Sequence, residues 1–264
     1  MKKQPEQPNK HTRYPIVLVH GIVLKDIAFF KAFGRIEKTL KRLGYTVFTA
    51  KTDGFGTIEN NAEQLSRFVD DVLKREKTEK VNLIAHSKGG LDGRYYIDNL
   101  GGDKTVASLT TLCTPHKGSP IASELLRLPK PIMKFIAFWI NLVYRIFGDK
   151  HPNSLKVCEQ LKLSDATDIR FSPKVYCQSY STTMQRSRDD FIMGIPHMFS
   201  KRMEQLPSDG LVSNESAQFG EYKGSLDGSI SHSEIVDFMA SKRKKERIYA
   251  FYSRLCEDLY EMGF

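Results

Sequence analysis

Apolar residues recur along the chain in two alternating spacings. Short β-branched runs such as 16–19 and 81–84 are typical of buried strands, whereas 61–75 carries apolar residues three and four positions apart, as amphipathic helices do. The two patterns alternate from residue 16 to residue 113. This order predicts an α/β fold, with a mostly parallel central sheet and helices on both faces.

The region after residue 120 departs from this alternation. Its segment 132–147 is 16 residues long, is apolar over most of its surface and holds the single tryptophan. It is shorter than the ~20 residues that a membrane-spanning helix needs. A core helix and a cover over an apolar cleft both fit such a segment. Its position outside the β–α rhythm favours the cover.

We therefore predict a helical lid or cap insertion over residues 121–165. The residues of this insertion that we expect to face the substrate are Phe135, Phe138, Trp139 and Val143.

The rest of the chain reads as one unit. Residues 1–13 are polar and contain prolines, which predicts a disordered N-terminal segment, and 14–264 then forms a single domain.

No apolar stretch of a secretion signal follows the first ten residues. The four cysteines form no C-x-x-C pair, which argues against a zinc site and favours a reducing compartment. We expect a cytoplasmic protein, or a secreted one if a signal was removed.

The chain carries a net charge of +9, with its 40 Lys and Arg residues dispersed along the sequence. Such a balance is compatible with binding to nucleic acids or to anionic membrane surfaces. No nucleic-acid-binding motif accompanies it, so we expect a solvated basic surface and no nucleic-acid partner.

Chemistry concentrates at the end of the strand at 81–84. The sequence Ala-His-Ser-Lys-Gly-Gly follows it, and a helical stretch comes next. A strand, a tight turn and a helix form the context of a nucleophile elbow, in which small residues flank a serine held in a strained conformation. Ser87 is the predicted nucleophile, although a serine in such a turn is also a common helix cap. The Lys88 N–H, at the start of the helix, is then available to an anion.

A second motif of the predicted active site precedes the elbow in the sequence. The strand at 16–19 ends in His-Gly-Ile, and a turn of this kind directs the following N–H toward the nucleophile. The N–H groups of Ile22 and Lys88 are the predicted oxyanion hole.

A nucleophilic serine needs a base, and the base needs a carboxylate to orient it. With a nucleophile elbow these residues follow in the order serine, acid, histidine. Asp209, in an acidic turn, and His232 satisfy that order after Ser87. His116 directly follows a strand and is interpreted as structural or pocket-lining, and His197 precedes the acid, so neither is expected to be the base.

Together these motifs resemble the bacterial triacylglycerol lipases of the α/β-hydrolase superfamily, the subfamily typified by the Pseudomonas lipases. The spacing of 23 residues between Asp209 and His232 is close to theirs. The segments that carry the resemblance are YPIVLVHG at 14–21, VNLIAHSKGGLDGRY at 81–95, TTLCTPHKGSPIA at 110–122 and SDGLV at 208–212.

The sequence also departs from that family. The family's calcium site uses an Asp two residues after the triad histidine, where this chain has Glu234, and further oxygen ligands where this chain has Phe238 and Lys242. We therefore expect neither calcium nor any other metal or cofactor.

The resemblance implies the α/β-hydrolase fold and hydrolysis of acylglycerols or similar lipid-like esters through an acyl-enzyme. It also implies transient contact with a membrane or lipid-droplet surface. Phospholipase and thioesterase activities remain alternatives, as does a non-catalytic protein that binds apolar ligands or a membrane surface on the same fold. Acyl length, head group and oligomeric state stay open at this point.

Overall fold

The computed structural model describes residues 11–22, 31–162 and 174–264. Within them, six strands form one sheet in the order β2-β1-β3-β4-β5-β6, and every neighbouring pair is parallel. The strands are β1 (Ile16–Val19), β2 (Val47–Thr49), β3 (Val81–His86), β4 (Val106–Leu112), β5 (Tyr176–Thr182) and β6 (Glu221–Leu226). The predicted α/β fold with a parallel sheet is confirmed.

Helices connect the strands, as parallel pairing requires. The α-helices of the described segments are α1 (Ile36–Arg42), α2 (Ile58–Glu76), α3 (Lys88–Asn99), α4 (Pro120–Leu126), α5 (Lys130–Ile146), α6 (Ser154–Leu161), α7 (Gly194–Glu204) and α8 (Lys242–Glu261). Local sequence explains the bounds of α2, since the Thr57 hydroxyl accepts from the Asn60 N–H at its start and Lys77 adopts a left-handed conformation at its end. No helix in the described part of the chain is both long and apolar enough to cross a bilayer.

The sheet is covered on both faces. Alternate residues of β1 point to opposite sides, so Ile16 and Leu18 join one core cluster while Val17 and Val19 join the other. The first cluster includes apolar residues of α1 and α8, and the second includes those of α2. Every residue of β1, β3 and β4 is buried, and β1 is a continuous apolar run, as is typical of a parallel strand covered on both faces.

Two predicted segments extend beyond the described residues. Of the segment 1–13, residues 11–13 are described, and the Arg13 N–H donates to the Phe264 carbonyl oxygen at 2.6 Å. Of the predicted lid, residues 121–162 are described; they contain α4, α5 and α6, and residues 163–165 fall outside.

Candidate active site

The strand order places a crevice beside β3. The chain passes from β1 to β2 on one side of β1 and then to β3 on the other, so the carboxyl ends of β1 and β3 form a topological switch point. Ligands bind at such points in open parallel sheets. Ser87 follows β3 directly, and Ile22 follows β1 by three residues.

Ser87 occupies a strained turn between β3 and α3. Its φ of 55° and ψ of −133° lie outside the regions that a residue with a side chain ordinarily adopts. The neighbouring backbone fixes this conformation. The Ser87 N–H donates to the Leu112 carbonyl at 3.0 Å, and the Thr114 hydroxyl donates to the Ser87 carbonyl at 2.8 Å. The turn is thus held from β4 as well as from β3.

Gly21 explains how the end of β1 reaches this turn. A Cβ at Gly21 would lie 2.7 Å from the Ser87 Cβ and 2.9 Å from the Lys88 backbone nitrogen. Only a residue without a side chain permits that approach. Ile22 follows it and lines the same cavity as Ser87. The predicted oxyanion residues Ile22 and Lys88 therefore both lie close to Ser87.

The structure brings together the three residues of the predicted triad. The Ser87 hydroxyl lies 2.9 Å from His232 Nε2, and His232 Nδ1 lies 2.7 Å from Asp209 Oδ2. Because a carboxylate only accepts, Nδ1 carries the proton and Nε2 is free to accept from the Ser87 hydroxyl. Asp209 is 1% exposed, so the pair is shielded from solvent.

Asp209 is held by its own turn. Its Oδ1 accepts from the backbone N–H groups of Leu211 and Val212 at 2.9 and 2.8 Å, which leaves Oδ2 for His232. Its carbonyl oxygen also accepts from the His232 N–H at 2.9 Å. The aspartate therefore orients both the ring and the backbone of the histidine.

The loop around His232 is braced by a reciprocal pair of hydrogen bonds. Ser231 and Glu234 hydrogen-bond reciprocally, side chain to backbone N–H in both directions. The Lys244 ammonium of α8 then donates to both oxygens of Glu234, at 2.8 and 2.6 Å. Glu234 is the residue at which the resembling lipases carry a calcium ligand, and here a lysine from the same chain neutralises it.

A fully buried ion pair lies next to the nucleophile. The Lys88 side chain is completely buried, and its ammonium donates to both oxygens of Asp92, at 2.8 and 2.9 Å. Asn61 of α2 also donates to Asp92. Burial raises the pKa of Asp92 to about 6, against the opposing effect of Lys88.

Of three further histidines, His86 contacts His232, whereas His116 and His197 bond to other residues. The His86 ring lies 4.6 Å from the His232 ring, with the two planes tilted by 48°, and its Nε2 donates to the His232 carbonyl. Burial, and then electrostatic repulsion between the two imidazoles, lowers the pKa of His86 well below its usual value. His116 is buried between Arg94, Thr111 and Phe219, consistent with its structural interpretation. His197 pairs with Ser187 through Nδ1 at 2.9 Å.

Ser87 and His232 open into a cavity of about 500 Å³. Its walls are almost entirely apolar and come from many segments of the chain. Lining residues include Phe55, Leu125, Tyr144, Leu161, Ile192, Met193, Leu211, Val236 and Phe238.

The four lid residues that were expected to face the substrate do not line this cavity. Phe135, Phe138 and Trp139 are 65%, 60% and 50% exposed, and Val143 is 39% exposed. The inward contribution of α5 is Tyr144, which packs edge-on against Phe55. A segment that is apolar on most sides does not reveal its inner face, and the structure turns these four side chains outward.

Clusters of side chains that could hold a metal ion are few in the part of the chain that the structure describes. The single group there of three ligand-bearing side chains with atoms within 4.8 Å of one another is Cys113, Asp209 and His232. Two of these are already paired in the triad. Burial, and then the charge of Asp209, raise the pKa of the Cys113 thiol well above its usual value, which opposes the thiolate that a metal would need.

Comparisons with known proteins agree with this geometry. The model of the palmitoyl protein thioesterase family matches residues 15–185, about two thirds of the chain. Triacylglycerol lipase 2 of Saccharomyces cerevisiae is 30% identical over 260 residues, which span 87% of this chain and 73% of that protein.

A triacylglycerol lipase of Pseudarthrobacter phenanthrenivorans is 39% identical over 116 residues, 42% of this chain and 36% of that protein. Its match thus spans about a third of the bacterial lipase. The crystal structure of Staphylococcus hyicus lipase superposes with a TM-score of 0.67 at 16% identity, covering 99% of this chain and 98% of that one, and it supports the fold. The chain therefore belongs to the palmitoyl protein thioesterase family, is homologous to triacylglycerol lipases and is a carboxylic ester hydrolase with the α/β-hydrolase fold.

Proposed function

We propose that this chain hydrolyses carboxylic esters of apolar acyl chains, acylglycerols among them, through an acyl-enzyme on Ser87. One observation carries the proposal. The Ser87–His232–Asp209 relay, with hydrogen bonds of 2.9 and 2.7 Å, opens directly into a large apolar cavity. The identity with triacylglycerol lipases supports the choice of acylglycerols.

The geometry supports a two-step reaction. His232 Nε2 accepts the Ser87 proton as Oγ attacks the ester carbonyl carbon, and the carbonyl oxygen takes the negative charge. The N–H groups of Ile22 and Lys88 stabilise that oxyanion. The alkoxide then departs with the proton from His232, which leaves the acyl-enzyme. Water attacks it by the same path, His232 accepts one water proton and returns it to Ser87, and the carboxylic acid is released.

The cavity bears on acyl length. The apolar cavity of about 500 Å³ is far larger than an acetyl group and has room for an acyl chain of many methylenes. Each buried methylene adds roughly 0.8 kcal/mol, so a medium or long acyl chain binds far better than an acetyl group.

The outer face of α5 supports contact with a lipid surface. Its exposed aromatic side chains share the helix with Lys130, Lys134 and Arg145. Apolar side chains mixed with basic ones are typical of helices that lie on a membrane. We extend the proposal to transient binding of a membrane or lipid-droplet surface through this helix, with residues 121–165 as a lid.

The proposal extends to two narrower assignments. Free cysteines, of which Cys113, Cys177 and Cys256 are buried, support a reducing compartment such as the cytoplasm. The motifs at 14–122 and 207–238 support placement in the Pseudomonas-type lipase subfamily.

Thioesters are the competing substrate class, because the matching family is that of the palmitoyl protein thioesterases. The same acyl-enzyme chemistry cleaves both ester classes, and they differ in the leaving group. A head-to-head measurement of kcat/KM on a dioleoylglycerol, a phosphatidylcholine and palmitoyl-coenzyme A separates them, and we expect the acylglycerol to be preferred.

The test of the reaction itself is a series of p-nitrophenyl esters from acetate to palmitate, with Ser87→Ala as the matched control. We expect kcat/KM to rise with acyl length and Ser87→Ala to lose on the order of 10⁶ in kcat. Undiminished turnover by Ser87→Ala would rule out Ser87 as the nucleophile, whereas a wild type that binds the esters without cleaving them would assign a binding role to the fold instead.

A further inference from the structure

A single carboxylate, Asp190, connects the catalytic histidine to the wall of the acyl cavity. Asp190 lies in the connection between β5 and α7, far in sequence from residues 229–233 but beside them in space. The neighbouring Asp189 makes the adjacent contact, since its Oδ2 accepts from the Ser229 hydroxyl at 2.5 Å. The two segments therefore run together along the back of the site.

The first oxygen of Asp190 holds the histidine loop. Its Oδ2 accepts from the hydroxyls of Ser231 and Ser233, at 2.5 and 2.9 Å. These are the residues immediately before and after His232. Hydrogen bonds to an ionised carboxylate are shorter and stronger than those between neutral groups, so this oxygen fixes both flanks of the base.

The second oxygen holds the cavity wall. Its Oδ1 accepts from the backbone N–H groups of Ile192 and Met193, at 2.6 and 2.9 Å. An aspartate that bonds the N–H groups two and three residues ahead forms a local turn. The turn directs Ile192 and Met193 into the cavity lining and leaves the intervening Phe191 97% exposed.

The four hydrogen bonds to Asp190 keep its carboxylate ionised. Burial raises the pKa of Asp190, but the hydrogen bonds from Ser231, Met193, Ser233 and Ile192 outweigh it and hold the pKa below its usual value. The carboxylate is thus a permanent acceptor at neutral pH.

We propose that Asp190 is a positioning residue that keeps His232 in register with the acyl-binding wall, so that an acyl chain packed on Ile192 and Met193 is presented to a correctly placed base. This inference rests on the proposed ester hydrolysis. It follows that Asp190 acts on the rate of the chemical step more than on substrate binding, because misplacing a catalytic group by about 1 Å costs on the order of 10² in rate.

The test is Asp190→Asn, which keeps the size of the side chain and removes its charge. The matched control is Asp227→Asn, at an exposed position of the same region. Steady-state kinetics on p-nitrophenyl acetate and p-nitrophenyl decanoate, with active sites counted by a fluorophosphonate probe, give kcat per competent site. We expect Asp190→Asn to lose roughly 10- to 100-fold in kcat on the decanoate, with KM nearly unchanged and the gain in kcat from acetate to decanoate reduced.

Ser233→Ala keeps the proposal falsifiable if Asp190→Asn does not fold, and Met193→Ala tests how the cavity wall is coupled to the carboxylate. Ser233→Ala removes one of the contacts to the histidine loop, and Met193→Ala alters only the wall. Asp190→Asn combined with Met193→Ala should show a smaller effect of Met193→Ala than the wild-type background does, because the wall no longer acts through the carboxylate.

The outcomes distinguish a positioning role of Asp190 from a purely structural one. If kcat per competent site stays at the wild-type value in Asp190→Asn and Ser233→Ala while only thermal stability falls, Asp190 is a structural cap and the inference is overturned. Additive effects of the Asp190 and Met193 changes overturn it as well. If the wild type itself fails to turn over either ester, the proposed function fails first, independently of Asp190.

Discussion

Replacing Gly21 with alanine tests the approach of β1 to the nucleophile. The added methyl would lie 2.7 Å from the Ser87 Cβ, 2.9 Å from the Lys88 nitrogen and 3.1 Å from the His86 carbonyl oxygen. Ordinary contacts begin near 3.4 Å, so the end of β1 and the elbow must separate by about 0.7 Å. Two of these three atoms belong to the backbone, and no rotation of a side chain relieves them.

The expected loss of activity follows from the oxyanion donors that the end of β1 and the elbow carry. Separating these two segments moves the Ile22 N–H away from the Lys88 N–H, and losing one oxyanion donor costs about 10² to 10³ in kcat. A displacement of this size at the nucleophile has a comparable cost on its own. We expect Gly21→Ala to lose on the order of 10² to 10³ in kcat on p-nitrophenyl butyrate, with a smaller change in KM.

The matched control is Gly93→Ala in α3. A methyl at Gly93 would meet only Leu109 Cδ1 at 3.4 Å and Leu83 Cδ1 at 3.7 Å, which are ordinary contacts. Alanine also favours the helix by roughly 0.5–1 kcal/mol over glycine. Gly93→Ala should keep wild-type kcat and a wild-type or higher Tm. A Gly21→Ala enzyme that is folded by circular dichroism and retains near-wild-type kcat would refute the pairing of the Ile22 and Lys88 N–H groups as an oxyanion hole.

Three other outcomes follow from the site. His232→Ala should abolish ester turnover whereas His197→Ala should not, as measured by kcat on the same ester; the reverse result would relocate the base. Lys88→Met should destabilise the protein by about 3–5 kcal/mol in urea unfolding, because it leaves Asp92 buried without its partner. Adding Asp92→Leu should recover most of that loss, and no recovery would contradict the pairing argument. Activity should survive EDTA, and loss that calcium restores would reverse this expectation.

The parts of this protein that sequence predicts well are local. A strand, a tight turn and a helix within 81–99 define the elbow, since each depends on neighbouring residues. Asp209 and His232 follow from chain order once Ser87 is chosen. The parallel sheet follows from the alternation of apolar spacings.

Such sequence patterns do not predict which residues line the cavity. Its walls are assembled from segments distant in sequence, and a helix as apolar as α5 carries no signal for which side faces inward, which is why Tyr144 rather than Trp139 lines the cavity. Asp190 was missed for a related reason. Its local turn is readable in principle, but its bonds to Ser231 and Ser233 span more than 40 residues and arise only in the folded chain.

The backbone of Ser87 sets stability against activity in this enzyme. A residue with a side chain in such a conformation costs about 1–3 kcal/mol, and glycine adopts it freely. Ser87→Gly should therefore melt at a higher temperature than the wild type while hydrolysing nothing. Selection of variants for heat resistance alone will favour inactive enzymes at this position. Directed evolution of this chain therefore needs a screen for ester hydrolysis in every round.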